Sequence, residues 1–230
     1  MQRFKALTEK PWLANASASV PLPEVNDSSY LYQQRIANTA LKFLIAVISV
    51  VFFLFTITFL QRSQSYDFQA LAGEPWLPFT DLTMLWQNTI FLLVSSILLA
   101  YSQRLAQKNH IKTLVLSLAG TTLFTLLFIF GQINVWQELN FSGYFIHSNP
   151  ANSYFYLLTG VHLLHLVGGV IMLTWVIYTF SKNLHQEKII AHIQLCARYW
   201  HFLLGIWLFL FFLLTRTTQT YKTIALLCGF

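Results

Sequence analysis

Five stretches of this chain, at 36–60, 82–101, 113–136, 154–180 and 193–214, are long, apolar and almost free of formal charge. A hydrocarbon core about 30 Å thick is crossed by about 20 helical residues at 1.5 Å rise each, and every stretch reaches that length. Residues 43–56, 114–136 and 199–215 contain no Asp, Glu, Lys or Arg, and His201 is the one basic side chain among them. Composition agrees, since 56% of the 230 residues are hydrophobic, 10% are charged and the mean hydropathy is +0.55, too apolar for a soluble domain. An all-α fold follows: an integral membrane bundle of five transmembrane helices. A relay of protonatable side chains crossing the membrane is hard to assemble from such runs.

The flanking segments are expected to be simpler. Residues 1–35 hold Pro21, Pro23 and the polar run 26–29, with no continuous apolar core, so they read as a retained, flexible cytoplasmic tail and a poor secretory signal. Trp12 in that tail and Trp76 in the first connection are expected at the membrane surface. Residues 36–215 form the membrane domain, and 216–230, too short to span, a short external tail. Cys196 and Cys228 flank the fifth span on opposite sides, so two free thiols are expected and no disulfide.

Charge sets the orientation. Eleven of the fourteen Lys and Arg lie on the N-terminal side or in the second and fourth connections, whereas Arg62, Arg216 and Lys222 lie opposite. The positive-inside rule then places the N-terminus in the cytoplasm and the C-terminus outside. Topology and contact with anionic lipid heads account for the net charge of +6. No basic soluble face is visible, which argues against nucleic acid.

Polar residues inside spans are costly, so the few present carry the information. The fourth span contains "GVHLLHLVGG", in which His162, His165 and Gly169 fall within about 60° of one another at 100° per helical residue. Glycine on that face admits a neighbouring helix, across which each neutral imidazole can hydrogen-bond. The alternative is haem ligation by His162 or His165 with His201 of the fifth span, because bis-histidine sites take one ring from each of two helices. No carboxylate or thiol lies near to complete a metal shell, and no metal ligand is assigned. Gln132 and Asn88 are the costliest amides to bury and are expected to find partners within the bundle, with Ser95, Ser96 and Ser49 as lesser fasteners. Trp86, Trp136, Trp200 and Arg198 are expected against lipid or at the membrane interface. With no P-loop, dinucleotide fingerprint, nucleophile elbow or carboxylate pair, catalysis by this chain alone is not expected.

The run "YFYLLTGVHLLHLVGGVIML" followed by "RYWHFLLGIWLFLFFLL" resembles the last two spans of subunit III of haem-copper terminal oxidases, the cytochrome c oxidase family. The pattern there is roughly F-F-x-x-T-G-x-H-x-x-H-x-x-x-G, then Y-W-H-F-x-D-x-x-W. Thr159, Gly160, His162, His165, Gly169, Tyr199, Trp200, His201, Phe202 and Trp207 match it. "LWQNTIFLLVSSILLAYS" is similar to the family's L-x-x-N-T-x-x-L-x-x-S-S segment through Asn88, Thr89, Ser95 and Ser96, and Gln132 matches a family glutamine. Four family acids are replaced by neutral residues, at Ser49, Val135, Gln194 and Leu204. Roles attributed to those carboxylates do not transfer.

The resemblance implies a five-span bundle equivalent to the shorter bacterial form, in the bacterial cytoplasmic (inner) membrane. It implies packing against catalytic subunit I and through it the other oxidase subunits, haem and copper in that partner and none in this chain, and bound phospholipid. The implied role is non-catalytic: supporting the stability, lipid content and proton pumping of a complex that reduces dioxygen to water in aerobic respiration. Two other readings stay open on the residues alone, an accessory membrane subunit of a nitric oxide reductase and an independent bis-histidine haem protein.

Overall fold

The computed structural model describes residues 25–72, 81–108, 111–181 and 186–228, so Trp12 and Trp76 fall outside the described residues. Among the described residues six helices follow in order: α1 (Val25–Arg62), α2 (Thr83–Gln107), α3 (Ile111–Phe141), α4 (Pro150–Ser181), α5 (Gln186–Leu214) and α6 (Thr218–Cys228). The described residues contain no strand. The first five helices are each long and apolar enough to cross a membrane. Two compact units divide the chain, Met1–Thr39 and Ala40–Phe230. In the first, α1 already begins at Val25, so part of the segment expected as a flexible tail is helical.

In the second unit the faces of the helices are sorted by polarity more than by hydrophobicity. Large apolar side chains such as Phe53, Ile97, Leu116, Leu164 and Ile171 point outward, while Asn88, Thr89, Ser95, Ser96, Ser102, Ser117, Thr121, Thr125, Gln132 and Thr159 are buried. Lipid solvates a leucine as well as a neighbouring helix does, so apolar residues gain little by turning inward. Amides and hydroxyls that bond other helices find those partners only inside, and they turn there, whereas exposed Ser49 and Thr174 bond carbonyls of their own helices.

α2 packs along both α3 and α5, and α4 along α5 and α3. Leu99, Leu118, Leu173, Cys196, Ala197 and Trp200 form one buried apolar cluster among these four helices. α1 stands off from them and is joined through rings. Its buried stripe, Leu41, Ile48, Phe52 and Phe59, presents Phe52 to His165 at 5.8 Å and Phe59 to Tyr154 at 5.4 Å.

Residues 216–230, expected as a short external tail, contain α6. At 1.5 Å per residue, its eleven residues reach only about half the thickness of the hydrocarbon core. Tyr221 and Ala225, one turn apart, are buried, and the Tyr221 hydroxyl donates to the Leu213 carbonyl at 2.8 Å. Phe59 meets Tyr221 edge-on at 5.2 Å and Phe68 at 5.7 Å, closing an aromatic cluster at that end of the bundle. Leu226 and Leu227 are exposed on the opposite side. The segment is thus helical because two residues at i and i+4 have a ready-made pocket.

Phe59→Ala should lower stability by about 3 kcal/mol, since it removes the ring against which Phe68, Tyr154 and Tyr221 pack. An unfolding titration with denaturing detergent would measure this. Leu226→Ala, on the exposed side of α6, should leave the midpoint unchanged.

Candidate functional site

The interior carries a ladder of interhelical hydrogen bonds with α2 as its spine. Asn88, Ser95 and Ser102 repeat every seven residues and face α3. The Asn88 amide donates to Gln132 Oε1 at 3.4 Å, and Ser102 Oγ donates to Ser117 Oγ at 2.9 Å. Ser117 in turn donates to the Leu98 carbonyl at 2.8 Å. Thr89 and Ser96, offset by one residue and again seven apart, face α5. Thr89 Oγ1 accepts the Trp207 indole N–H at 3.0 Å, and Ser96 Oγ lies 2.6 Å from His201 Nδ1.

Ser95 joins three helices. Its hydroxyl donates to the Thr121 carbonyl at 3.1 Å, lies 2.8 Å from Thr125 Oγ1, and accepts the Trp200 indole N–H at 3.1 Å. Trp200 was expected against lipid or at the interface, but it is wholly buried. An indole must place its N–H on an acceptor, and in the hydrocarbon region only the bundle interior has one. Gly169 of α4 makes the space: a Cβ there would stand 3.0 Å from Trp200 Cζ3 and 3.3 Å from Tyr199 Cε1. The glycine therefore admits an aromatic ring, whereas sequence reasoning anticipated a neighbouring backbone.

The two histidines of α4 differ from each other. His165 turns Nδ1 back to the Val161 carbonyl of its own helix, at 2.7 Å, while its backbone carbonyl accepts the Tyr199 hydroxyl of α5 at 3.0 Å. His162 is fully buried, inclined over Trp207 at 5.3 Å and edge-on to Phe128 at 6.1 Å. Neither of its ring nitrogens has a hydrogen-bond partner among the described residues, so the anticipated bond across the contact is not made and aromatic packing holds the ring. His201 is exposed on the outer side of α5. His162 and His201 thus occupy different surroundings, one enclosed and one outward, which does not suit a haem held between them.

Asn88 and Gln132 meet in a close fit: a Cβ on Gly131 would stand 2.0 Å from Asn88 Oδ1. Gln132 Nε2 has no partner among the described residues. Trp136, half-buried, donates to Thr159 Oγ1 of α4 at 3.1 Å. Trp86 is exposed and packs edge-on against Phe211 at 4.8 Å, and Arg198 is exposed on α5. At the four positions where family acids are replaced, Ser49 is exposed with its hydroxyl on the Ile45 carbonyl at 2.8 Å, Val135 is buried, and Gln194 and Leu204 are half-buried. Among the described residues no group of three or more His, Cys, Asp or Glu could hold a metal ion. Sequence reasoning missed the pairing of Ser102 with Ser117 and of Ser95 with Thr121 and Thr125. The seven-residue polar repeats on α2 and the 117, 121, 125 spacing on α3 were the available signal.

These features define a multi-pass α-helical membrane protein whose interior is a hydrogen-bonded scaffold. The family model for cytochrome c oxidase subunit III matches residues 30–216, which take in the five spans, and the chain belongs to that family. It is similar to the probable cytochrome c oxidase subunit 3 of Mycobacterium leprae, 30% identical over 62% of this chain and 72% of that protein. It is also similar to cytochrome c oxidase subunit 3 of Thermostichus vulcanus, 28% identical over 57% of this chain and 65% of the relative. Cytochrome bo(3) ubiquinol oxidase subunit 3 of Buchnera aphidicola is 26% identical over 57% of this chain and 64% of its own length.

Ser95→Ala leaves the Trp200 indole N–H and a hydroxyl of α3 without their common partner, so it should cost about 1–2 kcal/mol. Ser49→Ala, whose hydroxyl is satisfied within its own helix, should cost less than about 0.5 kcal/mol. Unfolding from micelles compares the two, and equal losses would contradict the assigned role of Ser95.

Proposed function

We propose that this chain is the non-catalytic subunit III of a respiratory haem-copper oxidase, held against the catalytic subunit in a bacterial cytoplasmic membrane. Its N-terminus faces the cytoplasm, the side on which eleven of its fourteen Lys and Arg lie. Haem and copper belong to the partner catalytic subunit, where dioxygen is reduced to water. This chain's part is to keep that subunit stable, supplied with phospholipid and able to pump protons.

The observation that carries the reading is the family match across all five spans, joined to an interior that bonds helix to helix. Relatives of both cytochrome c and ubiquinol oxidases match, which fits a chain whose work does not depend on the electron donor. The buried fasteners are His162, Gly169, Gln132 and Asn88, with His165 receiving Tyr199 on its carbonyl and His201 tied to Ser96. Each interhelical bond contributes about 0.6 kcal/mol, and up to about 1.7 kcal/mol in the best cases, so several together give a rigid platform. The missing acids remove charge from the membrane interior, consistent with support over proton conduction.

Affinity purification of this chain from its native membrane should bring down a haem-copper subunit with dioxygen-reducing activity. Stripping the chain from that assembly should leave the haem spectrum unchanged while shortening the period over which turnover is sustained. A partner that reduces nitric oxide and not dioxygen would move the chain to the accessory reading, and a Soret band on the isolated polypeptide, lost in His201→Ala, would make it a haem protein.

A further inference from the structure

The outer surface of α5 breaks the apolar pattern of the other helices. Stepping by three and four along one stripe, Arg198, His201, Gly205, Leu208 and Phe212 are all exposed. Beside it, the outer stripe of α2 exposes Ile90, Ile97 and Tyr101. The outward residues near the middle of α3 and α4, Leu123, Leu126, Leu127, Leu164 and Val167, are aliphatic; α4 also exposes Gly168, where a Cβ would meet nothing within 4 Å, but with no exposed polar ring beside it. Ser49 of α1 is exposed too, but its own helix satisfies it. His201 is different, because its ring is exposed near mid-span and Nε2 has no partner among the described residues.

Chemistry fixes which way this imidazole works. Ser96 Oγ, 2.6 Å from His201 Nδ1, makes no other hydrogen bond among the described residues. A buried hydroxyl proton needs an acceptor, so Ser96 donates and Nδ1 accepts. Neutral imidazole then carries its proton on Nε2. The bundle therefore holds a hydrogen-bond donor at a set angle toward hydrocarbon, where an unpaired donor is costly. One turn further, Gly205 leaves a notch: a Cβ built there meets nothing within 4 Å. Small residues beside a polar one are what a second transmembrane helix requires for close approach.

We propose that the α5 stripe from Arg198 to Phe212, flanked by the outer face of α2, is the surface on which a transmembrane helix of the catalytic oxidase subunit packs. That helix lies over Gly205 and presents an acceptor oxygen, a hydroxyl or a carboxylate, to His201 Nε2 near the middle of the membrane. This inference rests on the subunit reading above and adds to it the docking face and the chemistry of the facing residue. Lipid tails supply no acceptor, so they cover the aliphatic faces of α3 and α4 but leave His201 unsatisfied.

The test uses the full chain in its native membrane, with a photoreactive phenylalanine analogue placed singly at Ile97 or Leu208, and at Leu123 or Leu164 for comparison. Adducts to a haem-copper subunit from Ile97 and Leu208, with only lipid adducts from the comparison sites, are expected. His201→Phe and Gly205→Leu should each reduce the fraction of chain retained on the complex after detergent extraction by about three- to tenfold, and Leu164→Phe should not. The Gly205 variant keeps the test sound if losing the Ser96 contact unsettles the fold. Protein adducts from Leu123 or Leu164 alone would overturn the face and leave the subunit reading intact, and adducts from Leu208 to a second copy of this chain would overturn the assigned partner. Failure of any oxidase chain to co-purify would overturn both.

Discussion

The bond from the Trp200 indole to Ser95 holds the centre of this molecule together. In water, burial of the indole would dominate; in lipid, removing apolar surface from acyl chains gains almost nothing, and association comes from packing and from polar groups that have nowhere else to go. Ser95 serves α3 through Thr121 and Thr125 and α5 through Trp200, so three helices share one oxygen. Gly169 brings in the fourth by letting the face of α4 close over the same ring.

From that node the rest of the bundle follows in decreasing tightness. α2 is the spine because two seven-residue polar repeats, offset by one position, address two neighbours without competing. α4 hangs on α5 through Tyr199 and on α3 through Trp136 and Thr159. α1 contributes rings without close backbone approach, and it carries Ser49, where the resembling family has an acid. Loss of that charge and looser packing are compatible, since an intramembrane carboxylate needs a partner held in place and a serine that bonds its own helix does not.

Much of the fold was legible in the sequence because spans are set by one-dimensional facts, length and the absence of charge. The ends were less so. α6 depends on a pocket formed by Phe59 and Phe68, residues more than 150 positions earlier, which no local pattern in 216–230 announces. Among site residues, Asn88 and Gln132 stand out in the sequence as amides inside apolar spans, but that they meet each other is decided by the fold. Trp200 was misplaced because tryptophan is common at membrane surfaces, and its acceptor lies 105 positions away. The His162 ring is enclosed by Phe128 and Trp207, aromatic neighbours from two other helices that spacing along α4 does not reveal.

Residue order alone settles how many times this chain can cross a membrane, which residues are costly there, and by resemblance the family it belongs to, because each depends on composition along a single line. Which face of each rod turns inward, which histidine is enclosed and which looks outward, and where Gly169 meets a ring are settled in three dimensions. Large apolar side chains lie on both the inward and the outward faces of these rods, so hydrophobicity does not orient them. Orientation comes from hydrogen-bond partners and ring-sized gaps on other helices, which exist only once the bundle is assembled.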